Sequence, residues 1–488
     1  MPKHLSKSKY LAAQSCARKL WLQLWHPELQ PEPVGMNKLI MTQGSLFGEL
    51  AHQLYPEATL IDIDIRNLQQ AEADTLAAIE EGADTLLEAT FRSGQYRVLS
   101  DVVHRLSNGS WHLIEVKSST RVKAQHIPDL AFQRYVMEQC GYAVSKCSVI
   151  YANNAGRLPE LASLFVEEDV TAKVAAALPL IAPSLIPIEP LLEEGAECPP
   201  VVFSKTCNVC DFKSHCWQGI DRPTIYEAMH ANKIPELERQ GIFYIDDIPD
   251  DAGLEKPLSG KVRSMVECMQ QQRVDINNDD INKMLGQLQY PLYFLDFESV
   301  AIAMPLFEDS SPWQKYAFQY SLHIQTADGE VEHIEFLHPD KTDPSEAIAK
   351  SLVENLGDCG SVIVYHKQME GGVLKALAKQ FPVYGEQLRA INSRLWDLEL
   401  IFKNHYRHWQ WGTRSSIKYV LPTLVPELSY KSLDIQEGGG ASMGWLEMVD
   451  ASNETEQAAK AEALLRYCEL DTLAMVRLLA VVKAAVSG

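Results

Sequence analysis

The chain has 488 residues and a net charge of −21 at pH 7, and 46 % of it is hydrophobic. That length exceeds one ordinary core and predicts two or three domains, while the composition excludes global disorder. The charge argues against a nucleic-acid binder that works by blanket electrostatics, but not against a metal-dependent nuclease, whose clustered carboxylates are offset by divalent ions.

Residues 1–20 carry Lys3, Lys7, Lys9, Arg18 and Lys19 and read as helix-like, but lack the apolar core of a signal peptide. No apolar run reaches transmembrane length, so a cytoplasmic protein without a membrane partner is expected. Residues 1–220 are expected to form a first unit that closes with a Cys-rich segment. Before that segment, Pro179, Pro183, Pro187, Pro190, Pro199 and Pro200 predict irregular chain. Residues 221–288 read as a small helical connector, and from 289 to 488 strand-like and helix-like segments alternate as in an α/β domain.

Within the first unit, Arg97–Val103 and Trp111–Lys117 read as two strands joined by an Asn108-Gly109 turn. The side-chain period of two puts Glu115 and Lys117 on one face, where Asp101 of the neighbouring strand can meet them. Two carboxylates can hold a divalent metal, and a lysine beside them can activate water and stabilise charge on a phosphate. A surface hairpin with a cross-strand ion pair is the alternative. Upstream, Gly48 and His52 share a helix. Downstream, Asp129, Gln133 and Tyr135 lie on a helix-like segment.

Ten cysteines in a reducing compartment are unsuited to a disulfide framework. Cys140, Cys147, Cys268, Cys359 and Cys468 show no ligand-like spacing and read as core residues. Cys207, Cys210 and Cys216 form C-x2-C-x5-C, and Cys16 is the distant fourth. Four such thiolates suit a tetrahedral zinc ion or a 4Fe–4S iron–sulfur cluster, and the spacing leaves both open. Cys198, beside prolines, is a substitute ligand.

In the last unit, Leu292–Glu298 reads as an apolar strand ending in Asp296 and Glu298 on one face. Ser361–Tyr365 reads as a second buried strand, followed by His366 and by Glu370 at a helix start. Tyr467 and Asp471 are four apart on a helix and share a face. Widely spaced acids with a helical tyrosine suit a two-metal phosphodiesterase. Asp397 is a weaker candidate. Arg414 and Lys418, in segment 413–418, could contact phosphates or belong to a solvated loop. In Phe402–Trp411, Lys403, His405, Arg407 and His408 alternate with Tyr406 and Trp409, a mix suited to phosphates and stacked bases or to a half-buried helix face.

The order His52, Asp101, Glu115-x-Lys117 and then a Gln/Tyr helix resembles the RecB-like branch of the PD-(D/E)xK nucleases, though Gln133 and Tyr135 depart from that family's Gln-x-x-x-Tyr spacing. The resemblance implies metal binding by His52, Asp101 and Glu115, catalysis by Lys117 with the two acids, and substrate support from Gln133 and Tyr135. One cysteine before the nuclease core and three after it resembles the CRISPR-associated and AddB-type exonucleases. That layout implies a structural 4Fe–4S cluster on Cys16, Cys207, Cys210 and Cys216, with Zn2+ as the alternative. Asp296-x-Glu298, Glu370 and Tyr467-x-x-x-Asp471 resemble the DnaQ-like exonucleases of the RNase H fold, tyrosine subclass. Here the resemblance implies that Asp296, Glu298, Glu370 and Asp471 bind Mg2+ or Mn2+ and that Tyr467 orients water. Glu370 stands where that family has Asp.

Together these resemble an uncharacterised bacterial family that joins the two nuclease regions. The expected architecture is an N-terminal restriction-endonuclease-like α/β domain with the cluster, a helical connector and a C-terminal RNase H-like α/β domain. The expected function is hydrolysis of DNA, at single-stranded ends, with 3′→5′ polarity in the C-terminal domain and 5′→3′ in the first. An RNA-processing exonuclease and a non-catalytic nucleic-acid binder with decayed sites are the alternatives. No P-loop motif occurs, so a helicase motor, like any repair or defence partner, would be another chain.

Overall fold

The computed structural model describes residues 3–229 and 232–487; residues 230 and 231 of the predicted connector lie outside it. The chain is a mixed α/β protein with six-, five- and two-stranded sheets among the described residues. It divides into two compact units. Unit 1 comprises Met1–Pro33, Lys38–Gln218 and Ile302–Gln314; unit 2 comprises Val34–Asn37, Gly219–Ala301 and Lys315–Gly488. The chain is therefore not divided by single cuts: segment 302–314 belongs to unit 1, and the predicted connector to unit 2. No helix among the described residues is long and apolar enough to cross a membrane.

In unit 1, β1 (Thr59–Leu60), β2 (Thr85–Ser93), β3 (Tyr96–Arg105), β4 (Trp111–Lys117), β5 (Val144–Ala152) and β6 (Phe165–Asp169) lie side by side in chain order. β3 and β4 are the predicted antiparallel hairpin, and Gly109 takes the positive φ of +81° that its turn requires. β4 and β5 are parallel, so the chain must cross over between them. The helices are α1 (Lys7–Ser15), α2 (Ala17–Trp25), α3 (Gly35–His52), α4 (Leu68–Glu80) and α5 (His126–Gln139), and α5 is that crossover. Ser6 caps α1 by accepting from the Lys9 N–H. α5 buries Leu130, Phe132, Val136 and Met137, and Phe132 stacks on Tyr10 of α1 with centroids 4.5 Å apart. Each such side chain contributes roughly 1.5–3 kcal/mol by leaving water, which ties α1 and α5 to the sheet that carries Asp101 and Glu115.

The Pro-rich stretch is irregular around Pro199 and Pro200, as predicted, but its earlier part is not. Leu178–Leu180 and Glu189–Leu192 are 3-10 turns with proline in their first positions, and Ile181–Leu185 is a short helix. Proline lacks only an N–H that a first turn leaves unpaired anyway.

In unit 2, β7 (Val274–Ile276) precedes a sheet of β8 (Leu292–Val300), β9 (Tyr316–Gln325), β10 (Val331–Leu337), β11 (Ser361–Val364) and β12 (Leu395–Asp397). The sheet order is β10-β9-β8-β11-β12, with β8 antiparallel to β9 and parallel to β11. β13 (Tyr406–His408) pairs with β7, so the connector, read as helical, also holds a strand too short to show in its pattern. The helices that matter here are α6 (Ser345–Asn355), α7 (Lys367–Gln380), α8 (Gly438–Val449) and α9 (Glu454–Ser487). Phe294 and Leu295 of β8 and Leu464, Met475 and Leu478 of α9 are fully or almost fully buried. A register shift between Glu298 and Ser299 interrupts β8 where its acids project, a common device for aiming a side chain.

Candidate functional site

Unit 1 gathers Asp101, Glu115, Lys117, Asp129 and Gln133. Glu115 is 0 % exposed. Its Oε1 accepts from Lys117 Nζ at 2.5 Å and from Lys7 Nζ at 2.8 Å, and its Oε2 from Gln133 Nε2 at 2.6 Å. Lys117 is also 3.2 Å from Asp129. Asp101 Oδ2 accepts the Val116 N–H at 2.7 Å, and Oδ1 lies 3.3 Å from Lys7 Nζ. Burial pushes Glu115 up, but Lys117 and Lys7 outweigh it and bring the carboxyl down to about 2. Burial and then Glu115 push Asp101 up to about 6, against Lys7 and Lys117. Lys117 is held above its usual value by Glu115 and Asp129 despite its burial, so it stays charged.

His52 Nε2 is 3.3 Å from Glu88 Oε1. The pair is within ion-pair distance but not aligned as a hydrogen bond, so this buried nitrogen has no hydrogen-bond partner. Glu88 faces Asp101 across β2 and β3, between the pairs Leu87–Val102 and Ala89–Ser100, and adopts a left-handed φ of +57°. The expected substrate pair divides. Gln133 is buried and orients Glu115, also accepting from Ser100 Oγ at 2.9 Å. Tyr135 turns away, because residues two apart on a helix face different ways, and packs against Tyr96 at 6.3 Å. Gln133 is fully buried and Tyr135 half-buried.

In unit 2, Asp296, Glu298, Glu370, Tyr467 and Asp471 line one cleft of about 250 Å3, together with Lys315 and Lys418. Glu370 sits in the first turn of α7, and its Oε2 is buried without a hydrogen-bond partner. Asp471 Oδ1 accepts from Tyr430 OH at 2.5 Å. Burial and then the neighbouring acids push Asp296 and Glu298 well above the carboxylate range. Burial takes Glu370 to about 8 and Asp471 to about 6. Tyr467 is raised by burial, Asp471 and Glu298, so its hydroxyl keeps its proton. Crowded carboxylates that oppose one another's ionisation are the charge pattern a divalent ion relieves.

Cys468, read as core, is fully buried as expected, and its thiol also lies with Asp296 and Glu298, all within 4.8 Å of one another. Asp397 caps α7, accepting the His366 N–H at 3.2 Å and the Lys367 N–H at 3.0 Å, which is a helix-terminus role. Phe402, Tyr406 and Trp411 are buried against one another while Arg407, His408 and Trp409 are half-buried, so the stretch is mostly core packing, built around strand β13 rather than a helix face. Lys418 donates to Gln436 O at 2.9 Å while lining the cleft, whereas Arg414 stacks on Tyr419 at 4.3 Å.

Cys16, Cys207, Cys210 and Cys216 line a single cavity of about 190 Å3, formed by the junction of α1 and α2 and the segment 201–217. Cys198 is exposed and does not line it. Of the cysteines read as core, Cys147 and Cys268 are buried, Cys140 is half-buried and Cys359 is exposed.

Residues 293–416 match the model of a family described as a domain of unknown function (DUF2779). No curated protein matches the chain. Among solved structures, one titled "Crystal structure of SSO0001" is similar at 15 % identity, covering 44 % of this chain and 85 % of that chain with a TM-score of 0.20. A TM-score that low carries no argument about fold or activity.

Proposed function

We propose that this chain is a metal-dependent DNA nuclease with two active sites, one in each unit. The observation that carries the reading is the cleft of unit 2, where Asp296 and Glu298 from a strand meet Glu370, Tyr467 and Asp471 from two helices. Four acids with a tyrosine at one point are the donor set of a two-metal phosphodiesterase. The sheet order β10-β9-β8-β11-β12, with one antiparallel hairpin beside parallel strands, supports an RNase H-like domain of DnaQ type. The antiparallel β3–β4 hairpin followed by the α5 crossover supports a PD-(D/E)xK domain of RecB type in unit 1.

The donors fit Mg2+ or Mn2+. Glu370 Oε2 is a buried carboxylate oxygen with no hydrogen-bond partner, and the surrounding acids raise one another. Asp296, Glu298, Glu370 and Asp471 would hold the ions, and in unit 1 Asp101, Glu115 and His52 would do so. When bound, the metal supplies charge stabilisation at the phosphoryl oxygens. Tyr467, protonated at neutral pH, donates a hydrogen bond that orients the attacking water. Lys117, charged and fixed on Glu115, stabilises negative charge on the scissile phosphate. The four cysteines line one open cavity of about 190 Å3, and such a thiolate set suits a 4Fe–4S cluster or Zn2+. The layout of one cysteine before the nuclease core and three after it favours the 4Fe–4S cluster, with a structural role tying the α1–α2 junction to the segment 201–217.

The test is degradation of 5′- and 3′-end-labelled single-stranded DNA in Mn2+ by wild type, Lys117→Ala and Asp296→Ala. Distinct products lost in each variant are the expected result. If only Lys117→Ala matters, the cleft of unit 2 binds without cutting. If wild type cuts neither DNA nor the matching RNA, the chain is a binding protein and the proposal fails; cleavage of RNA alone would reassign the substrate.

A further inference from the structure

Away from both acid clusters, β9, β10 and α9 bring together His323, His333 and Glu469. One ligand atom from each lies within 4.8 Å of the other two. The two imidazoles stack with centroids 4.4 Å apart, and His333 Nδ1 is 3.9 Å from Glu469 Oε1. Each ring is held by a hydroxyl at one nitrogen: His323 Nδ1 meets Thr472 Oγ1 at 2.8 Å, and His333 Nε2 meets Ser321 Oγ at 2.9 Å. Those hydroxyls bond each other at 2.7 Å. Each ring is thus oriented through one nitrogen and keeps its second for another partner, the arrangement by which proteins fix a ligating histidine.

We infer that His323, His333 and Glu469 form a binding site for a transition-metal ion of the zinc type, separate from the acid clefts. Two imidazoles and one carboxylate are a borderline donor set that prefers Zn2+ or its neighbours to Mg2+. Tetrahedral N and O ligands at about 2.1 Å stand about 3.4 Å apart, so an ion would draw together donors that lie within 4.8 Å of one another. His323 is almost fully buried, which shields its side of the site from bulk water. Glu469 is 46 % exposed, so an ion has a way in and a fourth position open to water. The ion would fasten α9 to the β9–β10 hairpin. Because Thr472 adjoins Asp471, that fixes the helix turn that carries the acid. This inference does not depend on nuclease activity.

The experiment is zinc stoichiometry and thermal midpoint of the full chain after dialysis against a small excess of Zn2+, comparing wild type with His333→Ala and Glu469→Gln. Both substitutions lie at partly exposed positions, and circular dichroism verifies folding. Expected is one zinc equivalent fewer in each variant, with loss of the corresponding zinc-induced rise in midpoint. Bound Cu2+ should show imidazole nitrogen splitting in its electron paramagnetic resonance spectrum in wild type, reduced in His333→Ala. Equal zinc content in wild type and both variants overturns the inference, and so does a Cu2+ spectrum unchanged by His333→Ala.

Discussion

Lys7 Nζ donates to Glu115 Oε1 at 2.8 Å, across 108 positions of chain. The same ammonium lies 3.3 Å from Asp101 Oδ1, so a lysine from α1 spans the two carboxylates that the hairpin aligns. Its ammonium contacts both carboxylates proposed to hold a divalent ion, so a bound ion would compete with it. Without metal, Lys7→Met leaves the buried Glu115 with Lys117 as its remaining cation. The substitution should then destabilise the protein by about 1–3 kcal/mol, less than when a buried charge loses every partner. In Mn2+ the same variant should gain more in thermal midpoint than wild type does. Melting curves in EDTA and in Mn2+ decide; parallel shifts in both proteins would mean that Lys7 and the metal do not share a site.

Unit 2 makes the opposite prediction. Burial and then Asp471 and Glu298 raise Asp296, so folding opposes its ordinary ionisation at neutral pH. Asp296→Asn removes that opposition while keeping the shape. In EDTA it should stabilise the protein by about 1–2 kcal/mol, the stability–function exchange common at charged sites. In Mn2+ the variant should lose the midpoint rise shown by wild type. A lower midpoint in EDTA would refute the reading of this cleft as a strained acid cluster.

Much of both clusters was legible because period two in a strand and period four in a helix decide which side chains share a face. Asp101, Glu115 and Lys117 meet as that rule requires, and Asp296, Glu298, Tyr467 and Asp471 line one cleft. Three things were not legible. Lys7 looked like one of several basic residues near the start, and only the packing of α1 against α5 brings it to Glu115. Cys468 had no ligand-like spacing in sequence, although its place beside Tyr467 on an acid-bearing helix was a signal that spacing rules ignore. The aromatics of Phe402–Trp411 suit base stacking and core packing equally, and only burial distinguishes the two.

Glu88 escaped for a further reason: backbone strain leaves no mark in a sequence. Its φ of +57° costs a non-glycine residue about 1–2 kcal/mol. It persists where Glu88 approaches His52 at 3.3 Å and opposes Asp101. Glu88→Gly should relieve the strain and raise stability by about 1 kcal/mol. If Glu88 orients His52, the Lys117-dependent cleavage should fall by roughly 10–100-fold, as for other partners of metal-ligating histidines. Glu88→Ala should lose the same activity without the gain in stability. Undiminished cleavage in both variants would show that the strained carboxylate has no part in the site.

One contribution to the pH dependence of folding comes from a buried histidine on the strand that carries Glu115. His112 on β4 is buried, and its Nε2 pairs with Ser148 Oγ at 2.8 Å. Burial, then Lys146, lowers its pKa from 6.5 to about 4. As pH falls below 6.5 the unfolded chain takes up a proton that the folded protein refuses. Stability from this group is therefore intact above 6.5 and is lost between 6.5 and about 4, with a slope of at most ~1.4 kcal/mol per pH unit. His112→Asn should lower stability at neutral pH by losing packing and the Ser148 partner, yet flatten that acid slope. Urea midpoints measured from about pH 7 to about pH 4.5 give both quantities. An acid slope as steep in His112→Asn as in wild type would move the cause of acid sensitivity away from this residue.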